Sequence, residues 1–281
     1  MPNAAQAEMW NGPTGHRWAK DHARIAAAFA DLTEAFLANL PIQGGDRVLD
    51  VGCGAGDLAI ALATRIGPAG EVQGVDLSAP LLEIAQRRAA DMPAGSARLA
   101  FRQGDAATLE PEGNRDLIVS RFGVMFFDDP TAAFRRLRAT LKPHGRLGVL
   151  CWRSLAENFW ARIPLEAVVD LLGEPDPAPR DAPGAFAFAD PERVTRILDA
   201  AGVDEITAAP IEPDVLIGRD LEEAGFYAAT LTPAVRPLID AHEESRKEAV
   251  VRIRDALRPY QSADGVRLRA ACWLYEGRNS G

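Results

Sequence analysis

The chain has 281 residues, 47% of them hydrophobic, with 31 Lys and Arg against 40 Asp and Glu and a formal net charge of −9. That apolar content suffices for one large α/β core, whereas the acidic balance argues against a nucleic-acid partner, because such binding rests on Lys and Arg neutralising phosphates. No apolar run reaches the roughly 20 residues a membrane span needs, no signal peptide is read at the start, and Cys53, Cys151 and Cys272 form no C-x-x-C pair, so the expected location is cytoplasmic.

In chain order, Ile25, Phe29, Leu32 and Phe36 stand at helical spacing and predict a helix over 20–39, ended by Pro41 and Gly44-Gly45. Strands are expected at 47–51, 71–76, 98–103, 115–121, 145–151, about 205–217 and 266–275. Asp129-Pro130 and Asp190-Pro191 read as caps of helices running to Leu141 and Ala201. Alternating strands and helices imply a doubly wound, largely parallel sheet. Residues 152–189, rich in proline and aromatics, leave the carboxyl end of the fifth strand, the edge at which open sheets bind ligands, and are expected to form a substrate lid. Residues 220–258 read as helical, with Thr232-Pro233 as the start of the longer helix and Val250, Ile253 and Leu257 as its apolar stripe, packed on the lid or on a second subunit of a homodimer. The expected division is a covering arm at 1–40, a cofactor-binding core at 41–151, the lid insertion at 152–189, and the rest of the sheet at 190–281.

The most telling segment is VLDVGCGAGDLAIALA at 48–63, where an apolar strand runs through Asp50 into Gly52, Gly54 and Gly56 before a helical pattern resumes. Glycines there let backbone approach a ligand, and the helix start offers unpaired N–H groups. Asp76, ending the second strand, is placed to accept from ribose hydroxyls. Gly54, Gly56 and Ala59 formally fit a dinucleotide pattern, which keeps an NAD-dependent oxidoreductase open. Against it, Asp50 would repel a pyrophosphate but accept from an ammonium group, and Asp105, after the third strand, can take an adenine amine. A cofactor with ammonium, ribose and adenine but no phosphate is S-adenosylmethionine.

Asp50-Val51-Gly52-Cys53-Gly54-Ala55-Gly56, Asp76 and Gly104-Asp105-Ala106 resemble, in order and spacing, the successive motifs of class I S-adenosylmethionine-dependent methyltransferases. SRFGVMFFDDP (120–130) and LKPHGRLGVLCW (141–152) resemble the small-molecule branch related to quinone-biosynthesis C-methyltransferases. The resemblance implies a Rossmann-like seven-stranded sheet with an amino-terminal helical arm and an inserted lid. It implies a cofactor wall of Asp50, Gly52, Cys53, Gly54, Gly56, Asp76, Leu77, Gly104, Asp105, Ala106, Ser120 and Arg121, with S-adenosylhomocysteine as product and no metal. The acceptor is expected to be a small, apolar or aromatic molecule methylated at O, C or N.

Candidate acceptor contacts are Trp10, Trp18, Met125, Trp152, Asn158 and Trp160, each of which also reads as packing, or for Asn158 as a solvent-exposed residue. Arg121 is either an anchor for an anionic acceptor or the partner of Asp105 or a surface acid. His16 and His22 are the candidate general bases, or surface residues of the arm. Asp128 and Asp129 read as caps rather than metal ligands. After the fourth strand, Ser120-Arg121-Phe122-Gly123 lacks the Asn or Asp with two prolines of amino-methylating nucleic-acid enzymes, and no Pro-Cys nucleophile stands at that edge. A protein that binds S-adenosylmethionine without turning it over is the remaining alternative.

Overall fold

The computed structural model describes residues 2–177, 179 and 182–281. The arm holds four helices, α1 (Ala4–Asn11), α2 (Pro13–Lys20), α3 (His22–Ala28) and α4 (Ala30–Asn39). The single helix expected over 20–39 is thus two, broken at Phe29, whose ring meets Phe122 and Trp152 with centroids 5.8 and 5.9 Å away.

Strands and helices then alternate through β1 (Arg47–Val51), α5 (Asp57–Ile66), β2 (Glu71–Asp76), α6 (Ala79–Ala89), β3 (Arg98–Gln103), β4 (Arg115–Arg121), α7 (Pro130–Arg138) and β5 (Leu141–Trp152). Asp129 caps α7 by accepting from Ala132 N–H at 2.9 Å. Next come α8 (Phe159–Glu166), α9 (Val169–Leu172), α10 (Pro191–Ala200), β6 (Asp204–Ile211), β7 (Asp214–Gly218), α11 (Leu221–Leu231), α12 (Arg236–Ala241), α13 (Arg246–Leu257), β8 (Gln261–Ser262), β9 (Gly265–Arg269) and β10 (Cys272–Arg278).

The main sheet has seven strands in the order β3-β2-β1-β4-β5-β10-β6, with β10 antiparallel to both neighbours and the rest parallel. Order reverses between β1 and β4, so a crevice opens at their carboxyl ends, the topological switch point of an open α/β sheet. Gly52 follows β1 there and Gly123 follows β4. A β-carbon on Gly123 would lie 2.6 Å from Val51 O, so this contact needs a glycine.

Two expected strands prove to be two each. The segment near 205–217 breaks at Glu212-Pro213 into β6 and β7, and the one near 266–275 breaks at Ala270-Ala271 into β9 and β10. Proline lacks the N–H a ladder needs. Both chains therefore pass together into a second, three-stranded sheet, β7-β9-β8, where Ala270 N–H donates to Pro213 O at 2.9 Å. Thr232 ends α11 and does not begin the longer helix; Val235 and Arg236 N–H fold back onto its carbonyl, and the stripe of Val250, Ile253 and Leu257 lies on α13.

Ile163, Val168 and Leu172 from the expected lid share an apolar core with α11, α13 and β9. Together they form a second layer, the cap. Phe186 and Phe188 pack instead on the main core, where Tyr275 donates its hydroxyl to Phe188 O at 2.9 Å.

Candidate active site

The glycine turn owes its path to left-handed backbone at Gly52, Gly54 and Gly56, with φ of 71°, 53° and 85°, a region that only glycine enters at little cost. Asp76 holds the turn against β2. Its Oδ2 accepts from Gly54 N–H at 2.7 Å and its Oδ1 from Ser78 N–H at 2.8 Å. Burial raises the Asp76 carboxyl above its ordinary value, and these amide bonds oppose the rise.

Three buried carboxylate oxygens nearby, Asp50 Oδ1, Asp50 Oδ2 and Asp105 Oδ2, have no hydrogen-bond partner among the described residues. Leaving such an acceptor unmet typically costs about 1–3 kcal/mol, so an orphan is a site for a donor still to come. Asp50 is only 1% exposed, and burial pushes its carboxyl up to about 7 against the pull of Arg121. Asp105 spends only Oδ1, which accepts from Asn3 Nδ2 at 2.8 Å and from Ala107 N–H at 2.9 Å. Gly104 has no left-handed φ, and a β-carbon there would meet nothing closer than Val75 Cγ1 at 4.0 Å. Neither backbone nor packing asks for glycine at 104, whereas a flat ligand beside Asp105 would. Asp76 and Asp105, with Asp50 behind the turn, are acids that the ribose, adenine and ammonium of S-adenosylmethionine would each call for, so the residues present fit that cofactor.

Most of these residues open into one cavity of about 270 Å³. Gly52, Cys53, Gly54 and Asp76 line it, as do Leu77, Gly104, Asp105 and Ala106. Its other walls come from the arm, the end of β4 and the cap.

A family profile described as a methyltransferase domain matches residues 48–145. The trans-aconitate 2-methyltransferase of Methylobacterium radiotolerans is 31% identical over 273 residues, 93% of this chain and 94% of that one. The chain belongs to the class I S-adenosylmethionine-dependent methyltransferases. The nocamycin O-methyltransferase of Saccharothrix syringae is 35% identical over 173 residues, 58% of this chain; the match spans 60% of that relative's own length. A phosphoethanolamine N-methyltransferase of Haemonchus contortus, solved with S-adenosylmethionine, shares the fold at a TM-score of 0.54 and 20% identity, covering 89% of this chain and 53% of that one. Membership of this family removes the NAD-dependent reading.

Within this methyltransferase, Asp50, Gly56 and Ser120 are not on the cavity wall. Gly56 is required by Phe101, whose ring would come within 2.8 Å of a β-carbon. Ser120 Oγ donates to Val51 O at 2.7 Å and accepts from Gly123 N–H at 3.1 Å, stapling β4 to β1. Asp50 stands behind the turn with its orphaned oxygens.

The arm forms the roof. Ser78 Oγ donates to Trp10 O at 2.8 Å and Asn11 Nδ2 to Leu77 O at 2.9 Å, docking α1 on the loop after β2. Trp10 packs edge-on to Trp18 and Phe126, with centroids 5.5 and 5.7 Å away, and all three rings line the cavity. Asn3 clasps the far end, its backbone N–H on Asp128 Oδ2 and its Oδ1 taking Asp128 N–H, both at 2.7 Å. Among the described residues no group of three or more His, Cys, Asp or Glu is placed to hold a metal ion, and no helix is long and apolar enough to cross a membrane.

A second aromatic wall stands at the carboxyl ends of β4 and β5. Phe122 stacks on Trp152 at 3.9 Å between centroids, and Trp152 meets Trp160 at 4.8 Å. Phe122 holds a φ of 69°, a left-handed value that costs a bulky residue about 1–3 kcal/mol and concentrates at functional sites. Met125, expected at the acceptor, also lines the cavity.

Arg121 lines the cavity too, yet its guanidinium is engaged: it donates to Thr33 Oγ1, lies 3.7 Å from Asp57 Oδ2 and faces the Phe29 ring at 5.5 Å. Its acid partner is therefore Asp57 and not Asp105. Asn158 is neither exposed nor in the cavity. Its Nδ2 donates to Arg153 O, Ser154 O and Ala271 O, and its Oδ1 accepts from Ala271 N–H and Trp160 Nε1–H, so it pins the β9–β10 junction and orients Trp160.

The two candidate bases separate. His16 faces a shallow outer groove with Pro80 and Arg87. His22 lines the cavity, and its Nδ1 is 2.9 Å from Ala19 O. A carbonyl only accepts, so Nδ1 carries the proton and Nε2 is the basic nitrogen. Residues that sequence reasoning did not single out include Asn3, Arg24, Thr33, Phe122 and Tyr227. Only Phe122, inside the SRFG motif, carried a sequence signal.

Proposed function

We propose that the chain transfers a methyl group to a small acceptor with an apolar or aromatic body, by in-line displacement. The observation that carries this reading is the single cavity joining the glycine turn, Asp76 and the half-used carboxylate of Asp105 to the rings of Phe29, Phe122, Trp152 and Trp160. S-adenosylmethionine, when bound, supplies an electrophilic methyl group on a positively charged sulfur. Asp50 takes the ammonium, directly or through water, Asp76 the ribose, and Asp105 Oδ2 the adenine amine. The ring faces exclude water, offer negative charge to a cation and hold the acceptor, and holding a reactant in line can contribute about 7–11 kcal/mol. His22 Nε2 takes the acceptor's proton where there is one to lose.

Both curated relatives are named for methylation of small molecules, one at oxygen and one of trans-aconitate, which supports a small-molecule acceptor here. The net charge of −9 supports a partner other than nucleic acid. Three buried, unpaired cysteines support a cytoplasmic location. The test incubates the protein with S-adenosylmethionine and a panel of phenols, dihydroxynaphthalenes and trans-aconitate, and follows S-adenosylhomocysteine and methylated product by mass spectrometry. Matched formation of both is expected. Tight binding of S-adenosylhomocysteine with no turnover of any panel member would favour the non-catalytic reading.

A further inference from the structure

Away from the glycine turn, the cavity is closed by α3 and by β7 and α11 of the cap, through residues such as Ile25, Ile217, Tyr227 and Leu231. Among the described residues that α3 and the cap bring to this wall, Arg24 carries the only permanent charge. Its Nη2 donates to Ile217 O, and its guanidinium lies 3.6 Å from the centroid of the Tyr227 ring. The acid nearest it, Glu223, is 3.9 Å from Nη1.

That acid is largely spent elsewhere. Glu223 Oε2 accepts from Arg219 N–H at 2.7 Å and Arg219 Nε at 3.0 Å, and Oε1 accepts from Arg219 Nη2 at 3.2 Å. Arg24 Nε is buried without a partner among the described residues. A strut between α3 and the cap would use the carbonyl and the ring, but it would have no need of a weakly neutralised guanidinium on a cavity wall with a donor unmet. Burial disfavours the charge of Arg24, and an anion brought into the cavity would relieve that cost.

We propose that Arg24 anchors the carboxylate of the methyl acceptor, which makes the substrate class small carboxylic acids with an apolar body. The fork of Nε–H and an adjacent Nη–H matches a carboxylate, while Tyr227, Phe29 and Trp152 hold the apolar remainder. This assignment rests on the methyltransferase reading above. It gives Arg24 one of the two roles that the sequence left open for Arg121, whose guanidinium Asp57 and Thr33 occupy.

The test is calorimetry on protein saturated with S-adenosylhomocysteine, using two matched pairs of probes, trans-cinnamate with cinnamamide and hexanoate with hexanamide. In at least one pair the acid should bind about tenfold tighter than the amide, Arg24→Gln should abolish that preference, and Arg24→Lys should keep part of it. S-adenosylhomocysteine affinity should be the same in all three proteins. Glu223→Gln, which removes the competing acid, should keep or strengthen acid binding. No preference for the acid in either pair, a preference that survives Arg24→Gln, or loss of acid binding in Glu223→Gln would overturn the proposal. Failure of the wild type to bind S-adenosylhomocysteine would instead overturn the methyltransferase reading on which it rests.

Discussion

Asp105→Asn separates cofactor recognition from folding more cleanly than other changes at this site. The protein itself uses only Oδ1, as acceptor for Asn3 Nδ2 and Ala107 N–H. An asparagine keeps both bonds by placing its carbonyl oxygen there. Its NH₂ then replaces Oδ2, a buried acceptor without a partner, so the ligand-free fold loses nothing it had. An incoming adenine amine would meet a donor where it needs an acceptor. A hydrogen bond to a charged group is worth about 1.5–3 kcal/mol, which predicts that S-adenosylhomocysteine affinity falls about 10- to 150-fold. The assay is isothermal titration beside a melting curve, and the melting temperature should stay within about 1 °C of wild type, the shift that a few tenths of a kcal/mol produces in a chain of this size. Affinity within twofold of wild type, with an unchanged melt, would refute the assignment of Oδ2 to the adenine.

Gly104→Ala should stabilise the ligand-free protein by about 0.4–1 kcal/mol in urea unfolding, since the backbone admits a side chain there; it should weaken S-adenosylhomocysteine at least about tenfold by intruding on the ligand, and retained affinity would show that the cofactor does not approach residue 104. Burial raises the folded pKa of Asp50 from 3.8 to about 7, so the stability tied to its protonated form is present below 3.8 and lost as pH rises through about 7. The melting temperature of the ligand-free wild type should therefore fall over that window, and Asp50→Asn should flatten the fall; an equally steep profile in the variant would place the titration elsewhere. Arg121→Met should cost about 1–3 kcal/mol of stability and also reduce S-adenosylhomocysteine affinity, because Asp57 at the start of α5 loses a partner. Lost turnover with stability and cofactor affinity intact would restore Arg121 as the acceptor's anchor.

What the sequence disclosed was local. The glycine turn, Asp76 and Asp105 could be read because each signal is a residue type at the end of a strand, and β1 to β4 keep their expected bounds because their apolar runs end at turn residues. The break at Ala270-Ala271 was hidden because apolar residues continue across it, whereas Glu212-Pro213-Asp214 was a visible break signal; in both places only pairing with a distant partner shows that the chain changes sheet. Asn158 looked like a polar residue at the mouth of a lid. Its role depends on Ala271, 113 residues away, which no spacing rule reaches. Asn3 and Arg24 were likewise invisible, because the first acts through a left-handed backbone and Asp105, and the second faces a cap assembled from segments distant in sequence, with Arg24 donating to Ile217 O across 193 residues.

Calorimetry of the wild-type protein with S-adenosylhomocysteine and, separately, NADH tests the cofactor's identity most directly. One molecule of S-adenosylhomocysteine should bind per chain and NADH should give no heat beyond dilution. Binding of NADH with none of S-adenosylhomocysteine would contradict the assignment of Asp50, Asp76 and Asp105 to ammonium, ribose and adenine.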